Sequence, residues 1–119
     1  MTIAEFYVQI EGDYQDALGR LMTDQRIAKY LMKFIGNKDV ETATLNAANQ
    51  DWEALFRVTH NLKGVALNLS LTALGRAASA LCEAVRHGAP TVDIEPLLQE
   101  LILQGDRTQT ALQQLQASL

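Results

Sequence analysis

Apolar residues recur every three or four positions through nearly the whole chain, the spacing of α-helices that each bury one face at about 100° per residue. The clearest run is Leu55, Thr59, Leu62, Ala66 and Leu69, flanked by Val58 and Val65, and it predicts one core-facing stripe. A second stripe, Ile27, Tyr30, Leu31, Phe34 and Ile35, predicts a helix capped by Thr23 or Asp24. A third, Leu71, Leu74, Ala78, Leu81 and Val85, predicts a helix with Ser70 as N-cap that Gly88 and Pro90 terminate. The last begins near Asp93 and carries Ile94, Leu98, Leu101, Gly105, Thr108, Leu112, Leu115 and Leu119 along one seam.

Upstream, Thr2 and Glu5 form a capping-box pair for a short helix through Phe6 to about Ile10, which Gly12 interrupts. A further helical piece from Asp13 to about Leu21 turns Tyr14, Leu18 and Leu21 inward. Gly36-Asn37-Lys38-Asp39 is read as a weak point within one continuous or kinked helix reaching about Asn49, the alternative being a new helix capped by Asp39. Asp51 caps the helix that follows. No strand pattern or repeat is present. The expected fold is all-α, an antiparallel four-helix bundle over 23–119 with short N-terminal helical additions over 1–22, together forming a single domain.

The Leu55–Leu69 stripe has a consequence for His60, which lies roughly 140° from its centre and so on the solvated side of the same helix. Phe56 at i−4, Gly64 at i+4 and Leu67 at i+7 share its face, with Lys63 beside it. A wet helix face normally carries charge, so large apolar side chains around a histidine mark a docking surface for another protein. Gly64 in mid-helix costs about 1 kcal/mol relative to alanine, and the compensation is room for something to approach the imidazole.

Composition narrows the classes. A chain of 119 residues with 48% hydrophobic and 20% charged residues and two prolines is an ordinary globular domain with little room for disorder. The formal charge of −4 and the lack of any basic block argue against nucleic acid. No apolar run approaches the ~20 residues that span a bilayer, and Met1-Thr2-Ile3-Ala4-Glu5 has no signal-peptide character, so a cytoplasmic protein with no membrane contact is expected. The lone Cys82 reads as a small buried hydrophobe in a reducing compartment.

Parts for independent catalysis are missing. The seven glycines form neither a G-x-G-x-x-G nor a G-x-x-x-x-G-K loop, so no ATP site is expected. His60 has no carboxylate at i+3 or i+4, and His87 sits at a helix end where the dipole favours it, so no metal and no cofactor are expected. No serine or cysteine has a recognisable elbow or triad. A single imidazole with a lysine one turn away suits phosphoryl transfer.

Trp52-Glu53-Ala54-Leu55 followed by Thr59-His60-Asn61-Leu62-Lys63-Gly64 resembles the histidine phosphotransfer (HPt) domain family, whose hallmark is H-x-x-K-G on an exposed helix. Leu69, the Leu81-Cys82-Glu83 segment and the Leu21 to Phe34 stripe extend the resemblance from about residue 12 to 119. Many members have small residues and a later glycine where this chain reads Val65-Ala66-Leu67-Asn68-Leu69-Ser70, a departure that bears on partner choice more than on chemistry.

The resemblance implies that His60 is phosphorylated on Nε2 and exchanges the phosphoryl group with an aspartate of a response-regulator receiver domain. It further implies that Lys63 holds the phosphoryl oxygens and Gly64 clears space for the incoming domain. Phe56, Asn61 and Leu67 are the expected partner contacts, and Lys63 is expected to be exposed. A solvated imidazole ordinarily titrates near pH ~6.5 and is largely a neutral nucleophile at cytoplasmic pH. Transfer through a loose, charge-dispersed transition state needs positioning and cationic stabilisation, and the receiver would bring Mg²⁺ and an acidic pocket.

The function expected is therefore a phosphotransfer intermediate, not an enzyme with its own ATP site, acting as a monomer with a receiver domain or hybrid histidine kinase. Two other readings are a phosphorylation-independent adaptor that docks through Phe56 and Leu67, and the phosphoacceptor domain of a chemotaxis-type kinase.

Overall fold

Seven helices account for the periodic stretches: α1 Ile3–Gln9, α2 Tyr14–Leu21, α3 Asp24–Phe34, α4 Asp39–Ala48, α5 Trp52–Asn68, α6 Thr72–Ala84 and α7 Glu95–Ser118. They come from a computed structural model that describes all 119 residues. α4 packs on α5, α5 on α6, α6 on α7 and α7 back on α4, which closes a four-helix ring, while α1, α2 and α3 pack beside it. The 42 Å long axis is close to the span of the 24-residue α7 at about 1.5 Å per residue.

The stripes meet in one core to which every helix contributes, including Phe6 and Tyr7 from α1, Ile27 and Leu31 from α3, Leu55 and Leu62 from α5, Leu74 and Leu81 from α6, and Leu101 and Leu112 from α7. All five positions of the α6 stripe are buried. Two seam positions depart from expectation. Leu119 is 67% exposed, because α7 ends at Ser118 and Leu119 lies beyond the helix. Tyr30 is 41% exposed, at a groove of about 420 Å³ lined also by Leu21, Phe34, Val65 and Leu69, with the Lys33 ammonium 5.2 Å from its ring centroid.

The expected continuous helix to Asn49 is broken. α3 ends at Phe34, Gly36 takes φ of +76°, and α4 begins afresh at Asp39 with Lys38, not Asp39, in the N-cap position. That φ suits glycine, whose missing Cβ removes the clash that other residues meet there. The turn is held from afar: the Gly36 N–H donates to Gln109 Oε1 at 3.0 Å, and Gln109 Nε2 donates to the Phe34 carbonyl at 3.0 Å. Asn37 Oδ1 also accepts the Asp39 N–H at 2.9 Å. On α7, Gly105 lets Val40 of α4 come so close that an added Cβ would meet Val40 Cγ2 at 2.9 Å.

Three helices end in Schellman turns without glycine. After α1, α4 and α5 the left-handed residue is Glu11, Gln50 and Ser70, and the following N–H reaches back to the carbonyl of Tyr7, Asn46 and Ala66. Ser70 is thus the terminator of α5, not the N-cap of α6. Leu71 occupies that N-cap position, with no side-chain hydrogen bond. α6 itself stops at Ala84, before Gly88 and Pro90, so those residues shape the loop that follows. The other caps are as expected: Thr2 with Glu5, Thr23, and Asp51 accepting the Ala54 N–H at 3.2 Å.

The N-terminal helices latch onto the end of α5. Tyr7 Oη donates to the Leu69 carbonyl at 2.7 Å, the Asp13 N–H donates to the Ser70 carbonyl at 3.0 Å, and the Ser70 hydroxyl donates to Asp16 Oδ2 at 2.7 Å. Burial holds the Tyr7 hydroxyl well above its ordinary range. The Ser70 hydroxyl, followed by the Arg20 guanidinium, holds the Asp16 carboxyl below its ordinary range. A depressed carboxyl stabilises the fold above its unfolded-state value, and that contribution disappears as pH falls through the folded-state value. Asp16→Asn is therefore expected to lower the melting temperature at pH 7 and to lose this deficit in acid. Melts at the two pH values check it, and a deficit that persists undiminished in acid would show that the charge does not stabilise the latch.

Candidate functional site

α5 builds the site. Its inner face is buried, with Leu55 and Thr59 at 0%, Leu62 at 1% and Ala66 at 0% exposure. The buried Thr59 hydroxyl donates to the Leu55 carbonyl at 2.7 Å, so the polar group beneath the site is satisfied within its own helix. With that face anchored against α4 and α6, the outer face carries His60, Asn61, Gly64 and Leu67 into solvent.

The expected residues are brought together unequally. His60 is exposed, Leu67 is 52% exposed, and Gly64 is exposed with nothing within 4 Å of the position a Cβ would take. Internal packing thus gives no reason for glycine at 64. Phe56 is not the exposed side chain the sequence implies: it is half-buried between α5 and α6, under the Arg86 guanidinium at 5.4 Å from its ring centroid. Lys63 is likewise half-buried rather than exposed, because α5 and α6 pack closely along that flank. Asn61 is exposed, but its amide already donates to Asp39 Oδ2 at 3.1 Å, which ties the helix to the start of α4.

Lys63 makes no ion pair, whereas Arg57 and Arg86 are held by Glu53 and Glu83. Glu83 is an acidic group close enough to feel the Lys63 charge. Its hydrogen bonds from Arg86 depress its carboxyl, and the Lys63 and His87 charges add to the effect. Lys63 is thus a cation without a committed partner on the flank of the helix that presents His60. No three His, Cys, Asp or Glu side chains come together in a metal-binding group. Cys82 is buried, its thiol 3.9 Å from the Phe56 carbonyl. No helix is long and apolar enough to cross a membrane.

Reading from sequence missed Arg86 and Asp39. Asp39 reaches α5 from the start of α4 and Arg86 from the turn just after α6, and neither lies in a motif. Periodicity reports which way a residue points on its own helix, but not which side chain of a neighbouring helix will cover it.

The bundle thus carries a solvated histidine in the middle of a packed helix, with a lysine free of ion pairs one turn on. Residues 30–118, about three quarters of the chain, match the family model of the Hpt domain, and the chain belongs to that family. Hpt domains act in histidine phosphotransfer within phosphorelays, where they are intermediates and meet receiver domains and histidine kinases. Comparison with curated proteins and with solved structures returns no match.

Proposed function

We propose that this protein carries a phosphoryl group on His60 between receiver-domain aspartates in a multistep His-Asp relay. The observation that carries the reading is the exposed His60 of an H-x-x-K-G motif, on a helix whose opposite face is wholly buried, within a family match. In the proposed step the imidazole lone pair forms the N–P bond as the P–O bond of the aspartyl phosphate breaks. The aspartate leaves as a carboxylate, and the surplus ring proton passes to solvent. The return step reverses each of these changes.

Lys63 would place its ammonium on the phosphoryl oxygens, since no carboxylate occupies it. Gly64 would leave the space into which the receiver's acidic pocket descends, and Leu67 and Asn61 would contact the receiver around it. The divalent ion would be the receiver's Mg²⁺, with the chain supplying no cofactor. The whole of 1–119 is taken as one module, a monomer acting in the cytoplasm.

Lys63→Ala is expected to slow transfer roughly tenfold, the scale of one charge-assisted contact, while its loss of fold stability stays below about 1 kcal/mol, the scale of a trimmed stem. Single-turnover transfer and thermal melts check the two halves. A large drop in melting temperature with transfer unchanged would make Lys63 structural.

The direct test mixes the chain with a ³²P-labelled phosphorylated receiver. Label moving to the chain supports the relay reading. Stable binding with no label transferred, unchanged in His60→Gln, would instead establish the phosphorylation-independent adaptor.

A further inference from the structure

Phe56 precedes His60 by one helical turn, and the two rings lie side by side, their centroids 5.8 Å apart and their planes 33° apart. The phenyl ring is itself pinned. Arg86 lies against it, and Arg86 is gripped by Glu83 through Nε to Oε2 at 3.0 Å and a second contact from Nη2 to Oε1. The Phe56 backbone carbonyl accepts from the Thr59 hydroxyl at 3.1 Å and faces the Cys82 thiol at 3.9 Å.

No hydrogen bond orients the imidazole. The side-chain hydrogen bonds of α5 are made by Glu53 with Arg57, by Thr59 and by Asn61, and none by His60. An exposed histidine on a helix can exchange between the χ1 wells the helix allows, and its χ2 well is broad. In-line attack on phosphorus needs the ring nitrogen held in one direction, and an error of the order of 1 Å at the reacting atom costs on the order of a hundredfold. A phenyl ring clamped by Arg86, in the turn after α6, removes rotamers of the imidazole that would lie across it.

We infer that the Phe56–Arg86 stack is a positioning device for His60, with Phe56 setting the direction of the imidazole and Arg86 locking Phe56. This rests on the phosphotransfer reading and deepens it, since it takes Phe56 out of the docking surface and makes it part of what aims the nucleophile. The apolar docking contact on this face is then left to Leu67, with Asn61 beside it.

Phosphoramidate tests it without a partner protein. This small donor needs no docking surface: the imidazole nitrogen bonds to phosphorus while the donor's P–N bond breaks, and ammonia leaves with a proton from solvent. Phe56→Leu, similar in bulk but without a planar face, is expected to take up phosphate about tenfold more slowly than wild type, and Phe56→Tyr, which keeps the ring, to stay within about twofold. Arg86→Gln should slow uptake in the same direction. The deficit of Phe56→Leu should persist at saturating phosphorylated receiver, because occupancy does not restore aim. Uptake by Phe56→Leu at the wild-type rate would overturn the inference.

A second measurement does not depend on any variant folding. In the wild-type protein the His60 ring protons should be displaced in the proton NMR spectrum by the Phe56 ring current. Ring protons at free-histidine positions would contradict the stack. If wild type takes no label from phosphoramidate or from receiver, the phosphotransfer reading falls, and the NMR result still decides whether Phe56 holds the ring.

Discussion

His60→Gln is expected to abolish phosphoryl uptake, with transfer from a phosphorylated receiver falling by more than about a thousandfold, over ~4 kcal/mol of transition-state free energy. Glutamine keeps polarity and approximate size but has no nucleophilic nitrogen lone pair, so no N–P bond can form. The fold should not notice. His60 is exposed and makes no side-chain hydrogen bond within α5, so the melting temperature should move by no more than the ±0.5 kcal/mol typical of surface substitutions. Parallel transfer assays and melts check both halves. A variant that is still labelled would move the phosphoryl site elsewhere, with His87 the remaining imidazole.

Gly64→Gln is expected to separate stability from docking. Helix propensity favours the variant by about 1 kcal/mol, and the space around a Cβ at 64 is empty, so the protein should become harder to melt. The same side chain would stand in the approach to His60, one turn away on the same face. The receiver concentration for half-maximal transfer should rise at least about tenfold, the equivalent of about 1.4 kcal/mol of docking. Labelling by phosphoramidate, a donor too small to be obstructed, should change much less. Normal transfer in a stabilised variant would show that the smallness of Gly64 serves no partner.

The contrast between these two sites and the rest of the outer face shows where sequence reading succeeds. His60 points outward because Leu55, Thr59, Leu62 and Ala66 point inward, and both facts follow from 3.6-residue periodicity within one helix. The same local rule locates α5, α6 and α7 closely. It does not reach Phe56 or Lys63, whose half-burial comes from α6, brought alongside by a three-residue turn.

Termini were harder for a related reason. Glu11, Gln50 and Ser70 end helices in the left-handed region where glycine is the usual signal, and each non-glycine residue there costs on the order of 1–2 kcal/mol that surrounding packing must offset. Ser70 reads as an N-cap from its identity alone. Its hydroxyl is instead committed to Asp16, fifty-four residues earlier. At the α3–α4 break, Gly36 gave a local hint, but the Gln109 amide that makes the turn worth forming lies seventy-three residues downstream. The expectation of one long helix failed on that contact.

Residues 1–29 fall outside the family match, yet Phe6 and Tyr7 are among the most deeply buried side chains and Tyr7 closes the end of the His60 helix. The N-terminal helices therefore support the helix that presents the histidine.

One exposed imidazole on α5 is proposed to carry the phosphoryl group. The most direct test is phosphopeptide mapping of the chain after reaction with a phosphorylated receiver, under alkaline conditions that preserve phosphohistidine. The account predicts a single acid-labile phosphate, on the peptide that contains His60. A phosphate on any other residue, or none while the receiver is consumed by transfer to another acceptor, would contradict it.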